Sequence, residues 1–193
     1  MPSMNIDFYH FFYLISESYI DNFQTNGEVS SWSELSDTVM AEGKSKSSFV
    51  LFKSNLFRRA VLFTMLNPQP CGAAFAGIRK IVDLDISGYE AISLEVRGRG
   101  QYKGYEFVLR HKGQAGSDAP SYVYFFEVPF DFEVVRLPIK QFKPYLMGNY
   151  YDKGEPLDTS RITSIGILAY GGAHLPKKQQ GAAALEVNWI KLE

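Results

Sequence analysis

Short apolar segments separated by turn-forming residues dominate the chain after Gly27. In one of them Ile92, Leu94 and Val96 alternate with polar residues, the period-2 pattern of a half-buried strand. The segments span residues 49–52, 60–66, 76–82, 92–96, 105–110, 122–128, 134–137, 162–170 and 185–192. Many short strands at regular spacing predict an all-β fold, a β-sandwich or barrel.

The first 26 residues follow a different pattern. Aromatic and aliphatic side chains recur there at helical spacing, which predicts a helix over residues 4–20. The stripe consists of Phe8, Phe11, Phe12, Ile15 and Tyr19. We therefore expect a helical extension at 1–26 and one β-sandwich domain at 27–193.

Two long loops and one tight turn are predicted between the strands. The loops cover 113–121 and 142–161, and the second contains three tyrosines. Glycines at 98, 100 and 104 predict a hairpin turn between 92–96 and 105–110. A strand rather than a helix follows these glycines, which disfavours a dinucleotide-binding loop.

Composition narrows the class of protein. A chain of 193 residues corresponds to one domain. Its single cysteine excludes a disulfide scaffold, and its net charge of −1 argues against a nucleic-acid binder.

Charge is distributed unevenly. The first 43 residues carry seven acidic and no basic side chains, so all 20 Lys and Arg residues follow them, with 14 further acids. Either the acidic leader covers a mildly basic body, or that body also has an acidic partner.

No targeting or membrane-spanning segment is predicted. The apolar run at 8–15 is far shorter than the ~20 residues that cross a bilayer. The leader also lacks the basic residues of a secretory signal or mitochondrial presequence. An intracellular location is the expectation.

Motifs for metal binding, nucleophilic catalysis and phosphate binding are missing from the sequence. We therefore expect no cofactor and lean away from an enzyme. A structural calcium ion is the alternative. Its oxygen ligands would come from Asp83 and Asp85, or from Asp152, Glu155 and Asp158.

Arginine and tyrosine side chains near strand ends are the candidate binding residues. Arginine forks bind carboxylate or phosphate, and tyrosine rings stack on sugars or apolar ligands. The candidates are Arg79, Arg97, Arg99, Arg110, Tyr122 and Tyr124. The alternative is structural, with Glu95 or Glu106 paired across strands to Arg97 or Arg110 and the tyrosines packed in the core.

An ordered set of motifs resembles the complex I intermediate-associated protein 30 family. The set opens with Trp32, Ser36, Asp37, Met40, Gly43 and Ser45, and continues with 75–79, 84–92 and the Leu-x-Val-Arg-Gly-x-Gly strand that contains Gly98 and Gly100. Further matches follow at 137–144, 156–158, 165–167 and 185–190, so the resemblance runs from Trp32 to Glu193.

The resemblance implies a galactose-binding-like jelly-roll sandwich with a non-enzymatic role. Family members assist assembly of mitochondrial respiratory complex I, which implies a protein partner and a mitochondrial location. Carbohydrate-binding modules share the architecture, so binding of a glycan or small ligand is the second hypothesis. A cofactor-free enzyme that uses the sandwich cleft is the third.

Overall fold

The computed structural model describes residues 18–70, 72, 74–114, 118–172 and 177–193. Within these ranges the chain is all-β, with three single-turn 3₁₀ segments at Val29–Ser31, Asp37–Val39 and Ile139–Gln141. The strands are β1 (Ser18–Asn22), β2 (Trp32–Ser36), β3 (Lys46–Lys53), β4 (Arg58–Leu66), β5 (Phe75–Leu84), β6 (Ala91–Gly100), β7 (Gly104–His111), β8 (Ser121–Glu127), β9 (Glu133–Pro138), β10 (Lys143–Leu146), β11 (Asn149–Tyr150), β12 (Ile162–Tyr170) and β13 (Gly181–Leu192). All nine predicted strands are present.

Two antiparallel sheets form the sandwich. The six-stranded sheet has the order β3-β4-β13-β6-β9, and β1 also pairs with β13. The seven-stranded sheet has the order β11-β10-β8-β7-β12-β5-β2. Non-local pairings such as β4 with β13 close the fold, which confirms the predicted β-sandwich.

The core lies between the inner faces of the two sheets. In β7, Tyr105, Phe107 and Leu109 alternate inward and are fully buried. On the other side of the core, in the six-stranded sheet, Leu62 of β4 and Leu185 of β13 are cross-strand neighbours and are also fully buried. Alternate side chains of the strands point to the outer faces, where those of β12 are mostly buried and many of the others are exposed.

The predicted N-terminal helix is wrong at its end. Residues 4–17 lie outside the described ranges, but Ser18–Ile20 belong to β1 and pair with β13. Tyr19, which the helical stripe included, packs its ring edge against Trp189 of β13, with the ring centroids 6.2 Å apart. Pairing with β13 decides the conformation of residues 18–20. The helical spacing of apolar residues along the chain carries no information about that pairing.

The turn at 98–104 is not a hairpin. β6 pairs with β13 and β9, whereas β7 pairs with β12 and β8 in the other sheet. The glycines therefore carry the chain across the sandwich from one sheet to the other. The predicted loop at 142–161 also contains β10 and β11, and part of the loop at 113–121 lies outside the described residues.

Candidate functional site

Aromatic side chains and a methionine cover much of the outer face of the six-stranded sheet. Phe52 of β3 and Phe63 of β4 contact each other with ring centroids 6.2 Å apart, and Met65 lies on the same face. These three side chains are each more than two-fifths exposed. Phe57 and Phe130, in the adjoining loops, are also exposed. Clustered exposed apolar groups of this kind mark interaction sites.

Arginines lie among these aromatic rings. Arg59 stacks over Phe57 and Phe132 at 4.2 and 4.8 Å from the ring centroids, and Arg97 stacks over Phe132 at 4.6 Å. Arg99 stacks over Phe130 at 4.0 Å. We call the set Phe52, Phe57, Arg59, Phe63, Met65, Arg97, Arg99, Phe130 and Phe132 the Phe–Arg surface. Cation–π contacts hold these guanidinium groups in place without neutralising them.

Glu186 of β13 orders the centre of the Phe–Arg surface. Arg97 donates two hydrogen bonds to its carboxylate, at 2.8 and 2.9 Å, and Arg59 donates one at 2.9 Å. Burial works to raise the pKa of Glu186, but the hydrogen bonds and charges of the two arginines outweigh it and leave the pKa below its usual value. One carboxylate thus bonds two arginines, and Arg99 brings a third positive charge to the surface.

The aromatic residue that opens the family motif lies in the core. Trp32 of β2 is 7% exposed and donates its indole N–H to Asp21 at 3.1 Å. Lys80 of β5 donates to the same carboxylate oxygen at 2.7 Å. Trp32 therefore ties β1, β2 and β5 together and does not reach a binding face.

Asp37 and Ser36 of the motif stabilise the turn between β2 and β3. Asp37 is fully buried and accepts hydrogen bonds from the backbone N–H and the hydroxyl of Ser45, at 2.8 and 2.6 Å. The hydroxyl of Ser36 lies 2.8 Å from that of Thr38. Met40 is exposed at the tip of the turn.

Gly98 and Gly100 are packing positions. A Cβ on Gly98 would lie 2.3 Å from Cγ2 of the buried Val128. Gly100 has φ +108° and approaches the backbone of β13 so closely that a Cβ would meet the oxygen of Ala182 at 2.5 Å. Only glycine fits both requirements at residue 100.

Arg79 and Arg110 lie on the outer face of the seven-stranded sheet. Arg79 of β5 is in register with Gly166 of β12, and Arg110 of β7 with Ser164 of the same strand. Burial lowers the pKa of Arg110, the nearby positive charge of Arg79 lowers it further, and Asp118 opposes both effects. The two arginines are therefore close enough to repel each other.

Tyr122 and Tyr124 share one face of β8, and it is the inner face. Tyr122 is 1% exposed and donates its hydroxyl to the backbone oxygen of Glu155. The Tyr124 ring packs on Phe142, with the ring centroids 5.6 Å apart. The six candidate residues therefore do not form one concavity, because two lie in the core and the four arginines divide between two opposite faces.

Glu106 of β7 is a site residue that the sequence analysis considered only as an ion-pair partner. Its cross-strand neighbours on the outer face are Phe125 of β8 and Leu168 of β12. Burial raises its pKa to about 8, and neither a hydrogen bond nor an opposite charge among the described residues opposes that shift. The predicted ion pair of Glu106 with an arginine is therefore wrong. Only the pairing register, which sequence does not show, reveals its apolar surroundings.

Aromatic rings lie beside Glu106. Phe125 contacts Tyr170 of β12 and Tyr145 of β10, with ring centroids 5.0 and 5.4 Å apart, and Tyr145 contacts Tyr150 of β11 at 6.0 Å. Tyr150 is 60% exposed, whereas Tyr170 is buried. The seven-stranded sheet thus presents an aromatic group next to a carboxyl group.

The acidic residues considered for calcium have other partners. Asp85 accepts a hydrogen bond from Ser87, Asp158 accepts one from Ser160, and Glu155 pairs with Lys112. Across the described ranges, no three His, Cys, Asp or Glu side chains group as a metal site would require. The expectation that no cofactor is bound, with a structural calcium ion as its alternative, stays a prediction.

No helix in the described part of the chain has the length and apolar character needed to cross a bilayer.

Comparison with known families gives one match. The family model described as complex I intermediate-associated protein 30 matches residues 21–187. Comparison with curated proteins gives no match.

Among solved structures, carbohydrate-binding modules share the fold. The family 11 module from Clostridium thermocellum, in complex with a β-1,3-1,4-mixed-linked tetrasaccharide, has a TM-score of 0.68 and 20% identity over 91% of this chain and 94% of that chain. The family 11 module of a cellulosomal cellulase from the same organism has a TM-score of 0.65 and 18% identity, with 91% and 93% covered. An exo-β-agarase has a TM-score of 0.54 and 10% identity over 91% of this chain and 25% of its own. These structural similarities show that the chain has a jelly-roll sandwich fold, and they show nothing about its ligand or role.

Proposed function

Because this chain belongs to the complex I intermediate-associated protein 30 family, we propose that it is a non-enzymatic module that binds a partner protein during assembly of respiratory complex I or a related complex. On this proposal it acts in the mitochondrion. The observation that carries the proposal is the Phe–Arg surface on the outer face of the six-stranded sheet.

The composition of this surface matches a protein interface. Aromatic residues, methionine and arginine are enriched in such interfaces, and aromatic and arginine anchors supply most of their binding energy. Phe52, Phe63 and Met65 supply flat apolar area. The guanidinium groups of Arg59 and Arg97 are held between aromatic rings and Glu186, so little side-chain entropy is lost on binding.

The charge of the surface defines its partner. Arg59, Arg97 and Arg99 lie among the exposed rings, so the partner that we propose is a segment with apolar side chains and with acidic groups that reach these arginines.

Photo-crosslinking tests this proposal on the full chain in native mitochondria. A benzoylphenylalanine at position 63 is expected to crosslink to a complex I subunit or assembly intermediate, identified by mass spectrometry. The same group at position 81, where Ile81 is exposed on the other sheet, is the matched control. Crosslinks to complex I proteins from position 81 but not from position 63, or from neither, would overturn the proposal.

A variant pair gives an independent measure. Phe63→Ser removes the centre of the surface, and Ile81→Ser makes an equal change in polarity on the opposite face. Phe63→Ser is expected to abolish co-migration with complex I intermediates on native gels, whereas Ile81→Ser keeps it. Equal co-migration of the two variants would contradict the assignment.

Carbohydrate or small-ligand binding is a second candidate, on the other face. The observation that favours it is the aromatic group of Phe125, Tyr145 and Tyr150 beside Glu106. The rings meet edge to face, so a sugar would stack on the exposed face of one of them, such as Tyr150. Titration with neutral and acidic sugars tests this role and is described next.

A further inference from the structure

The outer face of the seven-stranded sheet carries a cluster that the proposed protein interface leaves unused. Its members are Arg79, Glu106, Arg110, Phe125 and Tyr145, on strands β5, β7, β8 and β10. Gly166 of β12 lies between Arg79 and Val108 of β7 in register and has no side chain, so no side chain of β12 separates Arg79 from β7 at this level. We call these five side chains the Arg79–Glu106 site.

Arg79 is partly exposed, but one donor of its guanidinium group is buried and unsatisfied. Its Nε is buried without a hydrogen-bond partner, and the ion pairs of the described residues do not include it. A buried donor left unsatisfied is costly. The like charge of Arg110 adds repulsion. A carboxylate or phosphate at Arg79 would satisfy the donor and offset that repulsion, since the guanidinium fork matches both groups.

Glu106 favours a hydroxylated ligand next to that anion. With its pKa near 8, the side chain is an uncharged carboxylic acid at neutral pH. An uncharged acid can donate one hydrogen bond and accept others, and it does not repel a nearby anion. Phe125 and Tyr145 add ring faces beside it.

We propose that the Arg79–Glu106 site binds an acidic sugar, a hydroxylated ring that carries a carboxylate or phosphate. The anionic group lies at Arg79, a ring hydroxyl bonds to Glu106, and the sugar ring packs against Phe125, whose ring meets that of Tyr145 edge to face. This inference rests on the second candidate function and names its ligand class.

NMR titration of the full chain tests the ligand class. The probes are glucuronic acid, glucose 6-phosphate, glucose and inorganic phosphate. Either or both of the two acidic sugars are expected to shift amide signals of β5, β7 and β8, and to bind about tenfold more tightly than glucose, the usual effect of one charge-assisted hydrogen bond. The two acids distinguish a carboxylate from a phosphate ligand.

Arg79→Met tests the anion position. Methionine keeps much of the length of the side chain without its charge, and is expected to weaken binding of the acidic sugar by about tenfold. Arg136→Met, on the other sheet, is the matched control and is expected to leave binding unchanged. Amide spectra of both variants report whether each remains folded.

Glu106→Gln separates the hydrogen-bonding role from the charge. Glutamine imitates the uncharged acid, so binding of glucuronic acid is expected to remain and to be independent of pH. In the wild type, binding is expected to weaken as the pH rises through about 8, because Glu106 then ionises, repels the anion and loses its donor.

Other ionisable groups on this face do not account for a change in binding near pH 8. Burial raises the pKa of Tyr145, and raises that of Tyr170 to about 12, so both titrate above this range. Arg110 stays charged, and Lys143 and Glu127 are common to the wild type and the Gln variant. The difference between wild type and Glu106→Gln therefore isolates Glu106.

The outcomes separate this inference from the function on which it rests. If glucose binds as tightly as the acids, sugar binding stands and the acidic class is wrong. If inorganic phosphate binds as tightly as glucose 6-phosphate, the ring contacts are wrong. If no probe binds, both fail. A loss of acid binding in Glu106→Gln equal to that in Arg79→Met would also overturn the role of the uncharged acid.

Discussion

Asp37 shows that a recognisable motif residue can serve folding rather than binding. Its carboxylate is fully buried and holds the backbone N–H and hydroxyl of Ser45. Asp37→Ala leaves that N–H unsatisfied, and the free energy of unfolding is expected to fall by about 2–3 kcal/mol. Chemical denaturation measures the change. Glu42→Ala, at an exposed position of the same turn, is the control and is expected to change stability by less than about 0.5 kcal/mol. Equal effects of the two variants would contradict this role.

Glu186 gives a pH-dependent prediction at the same scale. Its pKa is lower in the folded chain than its usual value of 4.5, so its contribution to stability is present above that value and is lost as the pH falls through the folded pKa. Between neutral pH and about pH 3, the wild type is expected to lose more free energy of unfolding than Glu186→Gln. Urea unfolding at each pH provides the comparison. Parallel curves for the two proteins would mean that Arg59 and Arg97 do not stabilise the charged form.

Individual site residues were the hardest part to predict from the sequence. Alternation correctly placed Tyr122 and Tyr124 on one side of β8, but the intervening Val123 and Phe125 are also apolar, so the pattern could not tell the inner face from the outer. The environment of Glu106 depends on residues from other strands, which only the register brings together.

Strands were predicted well where apolar segments are long. Four strands were missed. β1 was predicted as part of a helix, β2 buries only its first and last residues, and β10 and β11 are short. The mistaken hairpin at Gly98–Gly104 has a different cause. A turn between two strands looks the same in sequence whether the second strand pairs with the first or crosses to the other sheet.

A substitution at Gly98 tests the close packing at the point where the chain crosses from β6 to the other sheet. Gly98→Ala is expected to lower the free energy of unfolding by about 1–3 kcal/mol, because its Cβ would overlap Val128. Gly88→Ala is the matched control, since a Cβ at that position meets no atom within 4 Å. Thermal or chemical unfolding compares the two. Partial recovery in Gly98→Ala/Val128→Ala would identify the contact, and full stability of Gly98→Ala alone would refute it.

At the scale of the whole molecule, the packed core separates the outer face of one sheet from the outer face of the other. Phe63 lies on the outer face of the six-stranded sheet and Arg79 on that of the seven-stranded sheet, with packed layers about 10 Å apart between them. The sites share no side chain, so Phe63→Ser and Arg79→Met are expected to add in stability to within about 0.5 kcal/mol. Phe63→Ser should therefore leave sugar binding unchanged, and Arg79→Met should leave partner crosslinking unchanged. If either variant alters binding at the opposite face while the chain remains folded, the two sheets are coupled through the core. Binding at one face would then regulate binding at the other.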